Sequence, residues 1–273
     1  MIPVINIFGK EISSYILAAL VGILAVLLMT YKTSRKQGLN EVEMTFIMLF
    51  AAAGMLVGSH ILYALTQFKA LIFLIKNLFS FKDFETFVSV LNFVFGGSVF
   101  YGGLLGAIAV CVFYIKKKKL DKRYLDIAAC SFPLFHAFGR IGCFLSGCCY
   151  GIESDFGFVY ENALLQEING VRRFPVQLVE AAFNFILFAV LFYFVLKRKH
   201  TGKILTIYLL SYAPARFILE FFRGDEIRGH IGPLSTSQII SVLIIVTVIL
   251  TLSIKKNSKK ETKSKCIASD REK

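Results

Sequence analysis

Apolar stretches of lipid-spanning length, most of them closed by a cluster of lysines and arginines, constrain this chain more than any other feature. A bilayer core about 30 Å thick is crossed by roughly 20 apolar residues of helix. Backbone groups in lipid must be satisfied internally, which leaves only helices and closed barrels. The stretches are Ile12–Tyr31, Met44–Gln67, Gly97–Ile115, Tyr124–Cys149, Val176–Leu196, Ile204–Phe222 and Leu234–Ile254. They predict an all-α integral membrane protein of about seven transmembrane helices. Phe68–Phe95 mixes charge with aromatic and aliphatic residues and is too interrupted for a clean span, so it reads as a re-entrant or interfacial segment. Residues 1–254 then form a single transmembrane domain, and 255–273 a basic, disordered tail.

Charge orients the bundle. The formal net charge is +13, and its placement points to lipid rather than nucleic acid. Lys32, Arg35 and Lys36 follow the first span, Lys116–Lys119 the third, Lys197–Lys199 the fifth, and a lysine-rich tail the last. The other connections carry acids such as Asp83, Glu85, Glu153, Asp155 and Glu161. Basic loops stay cytoplasmic. The N-terminus is therefore expected outside and the C-terminus in the cytoplasm, with the tail near anionic headgroups. The opening MIPVINIFGKEISS lacks the basic leading region of a signal peptide. Neither a full-length repeat nor a repeated polar ring is evident, which disfavours a two-halved transporter and a channel.

Polar residues inside the spans carry the functional signal. The densest run is His136–Gly151, HAFGRIGCFLSGCCYG. Ionisable side chains at membrane depth are functional by default. Arg216, Glu220 and Arg223 recur at helical spacing on one face. A self-satisfied Arg216–Glu220 pair is the bland reading. The sharper one adds Arg140: two buried arginines with one obvious acid leave positive charge for an anion such as a lipid phosphate. Gly97, Gly102, Gly103 and Gly106 form a smooth surface, either for helix packing or for substrate beside Tyr101. Gln177 and Glu180, just after Pro175, either cap a helix or face the site. His60 reads first as structural.

The chain has six cysteines. Cys143, Cys148 and Cys149, with His136 upstream, allow a soft-metal site, an outward disulfide or inert packing. Their spacing matches no zinc pattern, and adjacent cysteines are poor partners on one tetrahedral centre, so no metal or other cofactor is expected.

With these segments in hand, the chain resembles the prolipoprotein diacylglyceryl transferase family along nearly its whole length. GRIGCFLSGCCYG at Gly139–Gly151 is similar to the family signature, FYGGLLG at Phe100–Gly106 to its histidine-glycine-glycine-leucine segment, and PVQLVE at Pro175–Glu180 to its proline-x-glutamine-leucine-x-glutamate. RFILEFFR at Arg216–Arg223, followed by LSTSQIIS, completes the match, and Tyr15 stands where the family has a tyrosine in its first span.

The resemblance implies a seven-span enzyme of the bacterial cytoplasmic (inner) membrane acting in lipoprotein biosynthesis. It would move diacylglyceryl from phosphatidylglycerol to the lipobox cysteine thiol of a prolipoprotein, releasing glycerol phosphate. Tyr101, Arg140, Arg216 and Glu220 would be catalytic. Tyr15, His60, Gly102, Gly103, Cys143, Gly151, Gln177, Glu180 and Arg223 would bind substrate. Departures from the family pattern are Tyr101 for its histidine, Cys143 for its asparagine, Cys148 for its acid and His60 for its arginine. They keep two alternatives open. One is a relative that binds glycerophospholipid with another acceptor or without catalysis. The other is a membrane thiol oxidoreductase.

Overall fold

The computed structural model describes residues 1–7, 9–78, 80–81, 83–163, 165–225 and 230–271, with backbone only at 7, 230, 231 and 255–271. Among them, seven helices are long and apolar enough to cross a membrane. They are α1 (Ser14–Lys36), α2 (Glu41–Thr66), α5 (Phe100–Lys117), α6 (Lys122–Ser146), α7 (Val176–Leu196), α8 (Ile204–Leu219) and the apolar part of α9 (Thr236–Arg271). The protein is a multi-pass membrane protein. Between α2 and α5 lie two short helices, α3 (Phe68–Lys76) and α4 (Phe84–Phe95), in place of a span. They share a small core of Ala64, Leu74 and Val94, while Phe68, Phe73, Ile75, Phe84 and Phe93 point outward. The expected unstructured tail falls where side chains are not described.

Local chemistry sets the helix ends. Asn40 caps α2 by accepting from the amides of Val42 (2.9 Å) and Glu43 (3.3 Å), and Asp83 caps α4 through the Thr86 amide (2.6 Å). Short polar side chains at this position satisfy amides that the first turn leaves without a partner. The same contact holds the Asp83 carboxyl below its ordinary range. At the far end of α6, Gly147 adopts φ 74°, a left-handed conformation that glycine enters freely. This stop removes Cys148 and Cys149 from the helix, so the fourth span ends at Ser146 and not at Cys149 as hydropathy suggests.

The connections add structure that hydropathy does not register. β1 (Val4–Ile7) pairs with β2 (Lys10–Ser13), β3 (Glu153–Val159) with β4 (Arg172–Arg173), and β5 (His230–Ile231) with β6 (Leu234–Ser235), all antiparallel. The architecture is the expected helical membrane bundle, and the described strands are confined to short hairpins in its connections.

α6 is the central helix and packs on α1, α2, α5, α7 and α8. Its Ile127, Ala128 and Ala129 join Met44, Ile47, Leu191 and Tyr208 in the main core. The tightest helix pair is α2 on α5. A Cβ on Gly58 or Gly102 would run into the other's carbonyl oxygen, and Gly54 and Gly106 face each other in the same way. Small residues let membrane helices approach to this distance.

The two ends of the bundle differ in charge. At one end the Gln37 carbonyl accepts from Arg123 (3.0 Å) and Arg198 (3.4 Å), and the Gln37 amide donates to the Val195 carbonyl (2.9 Å). That gathers the basic ends of α1, α6 and α7. At the other end the Ile2 amide bonds the Leu145 carbonyl (3.0 Å), and the Met1 ammonium donates to the Glu161 carbonyl. The acidic loops and the end of α6 therefore share one end.

Candidate active site

Four charged side chains, Arg140, Glu180, Arg216 and Glu220, meet His136 on the loop-rich side of α6. His136 and Arg140 stand one turn apart on α6, and Glu180 lies in the first turns of α7. Arg140 Nε lies 2.8 Å from Glu180 Oε2 and donates to His136 Nε2 at 3.2 Å. The other Glu180 oxygen accepts from the Tyr212 hydroxyl (3.0 Å) and sits 3.5 Å from His136 Nε2. On α8, two residues after Pro214, Arg216 pairs with Glu220 at 2.5 Å. Arg140, Glu180 and Arg216 are buried and lie within electrostatic range of one another, with Arg223 further out.

Charges buried this deeply must be paired or hydrated. The expected surplus of positive charge between Arg140 and Arg216 is not found. Glu180 is a second acid, so each guanidinium has its own carboxylate, and Arg223 has Asp225 (3.0 Å). The two arginines nevertheless belong to one cluster. Arg140 presents only Nε to its partners, and its two terminal nitrogens make no hydrogen bond among the described residues. That leaves a planar fork of the kind that matches phosphate.

A second chain of hydrogen bonds links Tyr101 to Arg216. Arg216 donates to the Ser237 hydroxyl (3.3 Å), Ser241 donates to the Ser237 carbonyl (2.8 Å), and the Tyr101 and Ser241 hydroxyls are 2.6 Å apart. With the serine proton already given, Tyr101 is the donor. Phe100 stacks on His136 at 4.1 Å between ring centres, and His136 Nδ1 is buried with no partner. Such a group calls for an explanation.

A family model described as prolipoprotein diacylglyceryl transferase matches residues 3–254. The chain belongs to the prolipoprotein diacylglyceryl transferase family. It is similar to the phosphatidylglycerol–prolipoprotein diacylglyceryl transferase of Clostridium tetani (strain Massachusetts / E88), 33% identical over 250 residues that cover 90% of this chain and 94% of the relative. Transferase 2 of Clostridium perfringens (strain 13 / Type A) is 33% identical over 244 residues, covering 88% and 90%. The Helicobacter pylori (strain J99 / ATCC 700824) enzyme is 32% identical over 262 residues, covering 90% and 89%.

Within this transferase family fold, the remaining expected residues divide by position. Tyr15 opens α1 against Gly142, beside the cysteines of the α6 end. Gly102 and Gly103 turn their Cα faces to Gly58, Leu62 and Met55 of α2. Gly151 is tightly enclosed too. It sits where three backbones cross, bridged to Arg223, and a Cβ there would meet the Phe174 carbonyl. His60 holds its Nδ1–H between the Phe95 (2.6 Å) and Gly97 (2.9 Å) carbonyls, closing the end of α4 away from the charged cluster. Gln177 is fully buried, bonded to the Tyr160 hydroxyl and donating to the Cys148 carbonyl at 2.9 Å. It positions a loop and faces no open space.

Cys143 stands in the last turn of α6 beside Cys148 and Cys149, and the three sulfurs lie within 4.8 Å of one another. Hydrogen bonds from the Cys143 and Cys148 thiols, helped by the Arg223 and Arg140 guanidiniums, hold the Cys149 thiol well below the usual cysteine range. Ser237, Ser241 and Tyr212 join the site without being among the candidate residues above. Their signal was there: two serines one turn apart in an apolar span, and a tyrosine one turn before a buried arginine.

Proposed function

We propose that this chain transfers the diacylglyceryl group of phosphatidylglycerol to the lipobox cysteine thiol of a prolipoprotein, the reaction for which its relatives are named. The observation that carries this reading is one buried cluster holding both Arg140 and Arg216 in a chain of that family. A thiolate must attack the glyceryl carbon bonded to phosphate, and negative charge then grows on the departing phosphate. Guanidiniums fixed in a dry site stabilise that charge without reorganising.

Arg140 and Arg216 take this role. Glu180 and Tyr212 orient Arg140, Glu220 orients Arg216, and Arg223 receives the headgroup nearer the loops. Tyr101 holds the place of the family histidine, yet its hydroxyl is a donor to Ser241, and a phenol of ordinary pKa about 10 is a poor base. His136 accepts the Arg140 N–H at Nε2, so its neutral ring holds the proton on the partnerless Nδ1; it braces the guanidinium and is not the base. The site faces the outer side of the bacterial cytoplasmic membrane, with the basic end of the bundle inside, as the charge asymmetry of the two ends supports.

Purified protein in phosphatidylglycerol vesicles with a lipobox peptide is expected to release glycerol phosphate and shift the peptide mass by a diacylglyceryl group. Release without peptide modification would favour another acceptor, and no release over vesicles alone would overturn the reading.

A further inference from the structure

We propose that Cys143, Cys148 and Cys149 bind a zinc-class metal ion whose open coordination position takes the acceptor thiol. This rests on the thiol-accepting reaction above. The three cysteines are unlike the other two whose side chains are described. Cys111 and Cys130 are fully buried in the apolar core, whereas Cys148 and Cys149 are only partly covered and Cys143 lies just beneath them. All three are free thiols.

Geometry favours a common ligand. Thiolates about 2.3 Å from one zinc ion lie about 3.8 Å apart. The observed separations, all within 4.8 Å, close to that value by small side-chain rotations. Adjacency of Cys148 and Cys149 does not prevent this. Cys149 adopts φ 55°, which breaks the alternation that would otherwise send neighbouring side chains to opposite sides. The loop is also pinned: the Cys148 amide bonds the Cys143 carbonyl (3.0 Å), and Gln177 donates to the Cys148 carbonyl (2.9 Å). Buried groups that fix a ligand's orientation are a usual accompaniment of metal sites. A divalent ion on three thiolates carries one negative charge, and Arg140 and Arg223 supply the opposing field.

Three protein ligands and one open position is the arrangement of catalytic zinc, and thiolates select soft ions. A thiol that coordinates such an ion is deprotonated outright. The acceptor cysteine would give its proton to water on binding. Its sulfur then forms the bond to the glyceryl carbon as the carbon–oxygen bond to phosphate breaks. Glycerol phosphate leaves with that electron pair and takes up a proton according to pH. The ion thus supplies the thiolate that the donor-bound Tyr101 does not.

Full-length protein kept reduced in detergent should hold about one metal ion per chain. Substituted with cobalt, it should show sulfur-to-cobalt charge-transfer absorption in the near ultraviolet. A lipobox peptide should alter the visible cobalt bands, and its cysteine-to-serine analogue should not. Cys148→Ser should weaken metal binding at least about tenfold. Absence of the charge-transfer bands in the native sequence would overturn the site, whatever the variant does. Bands indifferent to the thiol peptide would overturn the open position. Undiminished transfer by metal-free protein would overturn the metal's role and leave the transferase reading standing. Cobalt bands that respond to the thiol without any transfer would do the reverse.

Discussion

Arg140 meets Glu180 through Nε alone, so the pair holds the guanidinium plane fixed while its outer edge stays available to a phosphate. Removing either partner has separable consequences. Arg140→Ala should lower transfer from labelled phosphatidylglycerol by about 100-fold or more, the scale of losing one fixed donor to a developing anion. Arg216→Ala should do likewise, and wild-type rates in both variants would remove the headgroup role. Glu180→Gln keeps the shape but leaves Arg140 without its counter-charge. Breaking a buried pair in this way costs about 3–5 kcal/mol, so the thermal midpoint in detergent should fall along with activity. Tyr101→Phe loses one hydrogen bond to Ser241, about 1 kcal/mol. Activity should survive it, because the Tyr101 hydroxyl is a donor to Ser241 and not the base. Loss of transfer in Tyr101→Phe would return the proton-accepting role to Tyr101.

At the scale of elements, the contact of α2 with α5 places Tyr101 and hence the hydroxyl chain to Arg216. Gly58 and Gly102 each occupy a space bounded by the other's carbonyl. A leucine at either position must push the helices apart, since backbone cannot rotate out of the way. Gly102→Leu should therefore lower the melting midpoint and the activity together, while Gly139→Ala, at a glycine with nothing near its Cβ position, should leave the midpoint within about 0.5 kcal/mol of equivalent stability. His60 fastens α4 to the end of α2 through two carbonyls. His60→Ala should loosen the α3–α4 hairpin and raise its amide exchange without changing exchange in α6. Equal exchange rates in the hairpin would show that the histidine is not what holds it.

For the whole molecule, the decisive asymmetry is between a basic end gathered on Gln37 and a loop end carrying sheets, acids and the charged site. The proposed orientation puts the first end inside, because basic loops are costly to move across the membrane and are drawn to anionic lipid. A cysteine introduced at Ser154, on β3, should react with a membrane-impermeant maleimide in intact cells. One at Thr201, in the α7–α8 connection, should react only after lysis. The reverse labelling would invert the topology and put the site on the cytoplasmic side.

Hydropathy and charge order determined the spans, since lipid length and backbone satisfaction leave little choice; Val176–Leu196 emerges with the bounds its apolar run has. The same rules exposed Arg140, Arg216 and Glu220, because a charge at that depth stands out in any linear reading. Pairing was another matter. Glu180 lies 40 positions from Arg140 along the chain, and only the packing of α7 on α6 makes it the counter-charge that removes the apparent surplus. Tertiary contact likewise set Gly102 and Gly151 at close approaches of backbone and packed Gly103 against Met55. It also drew three cysteines into one cluster, because a left-handed Gly147 ends the helix where hydropathy would have continued it.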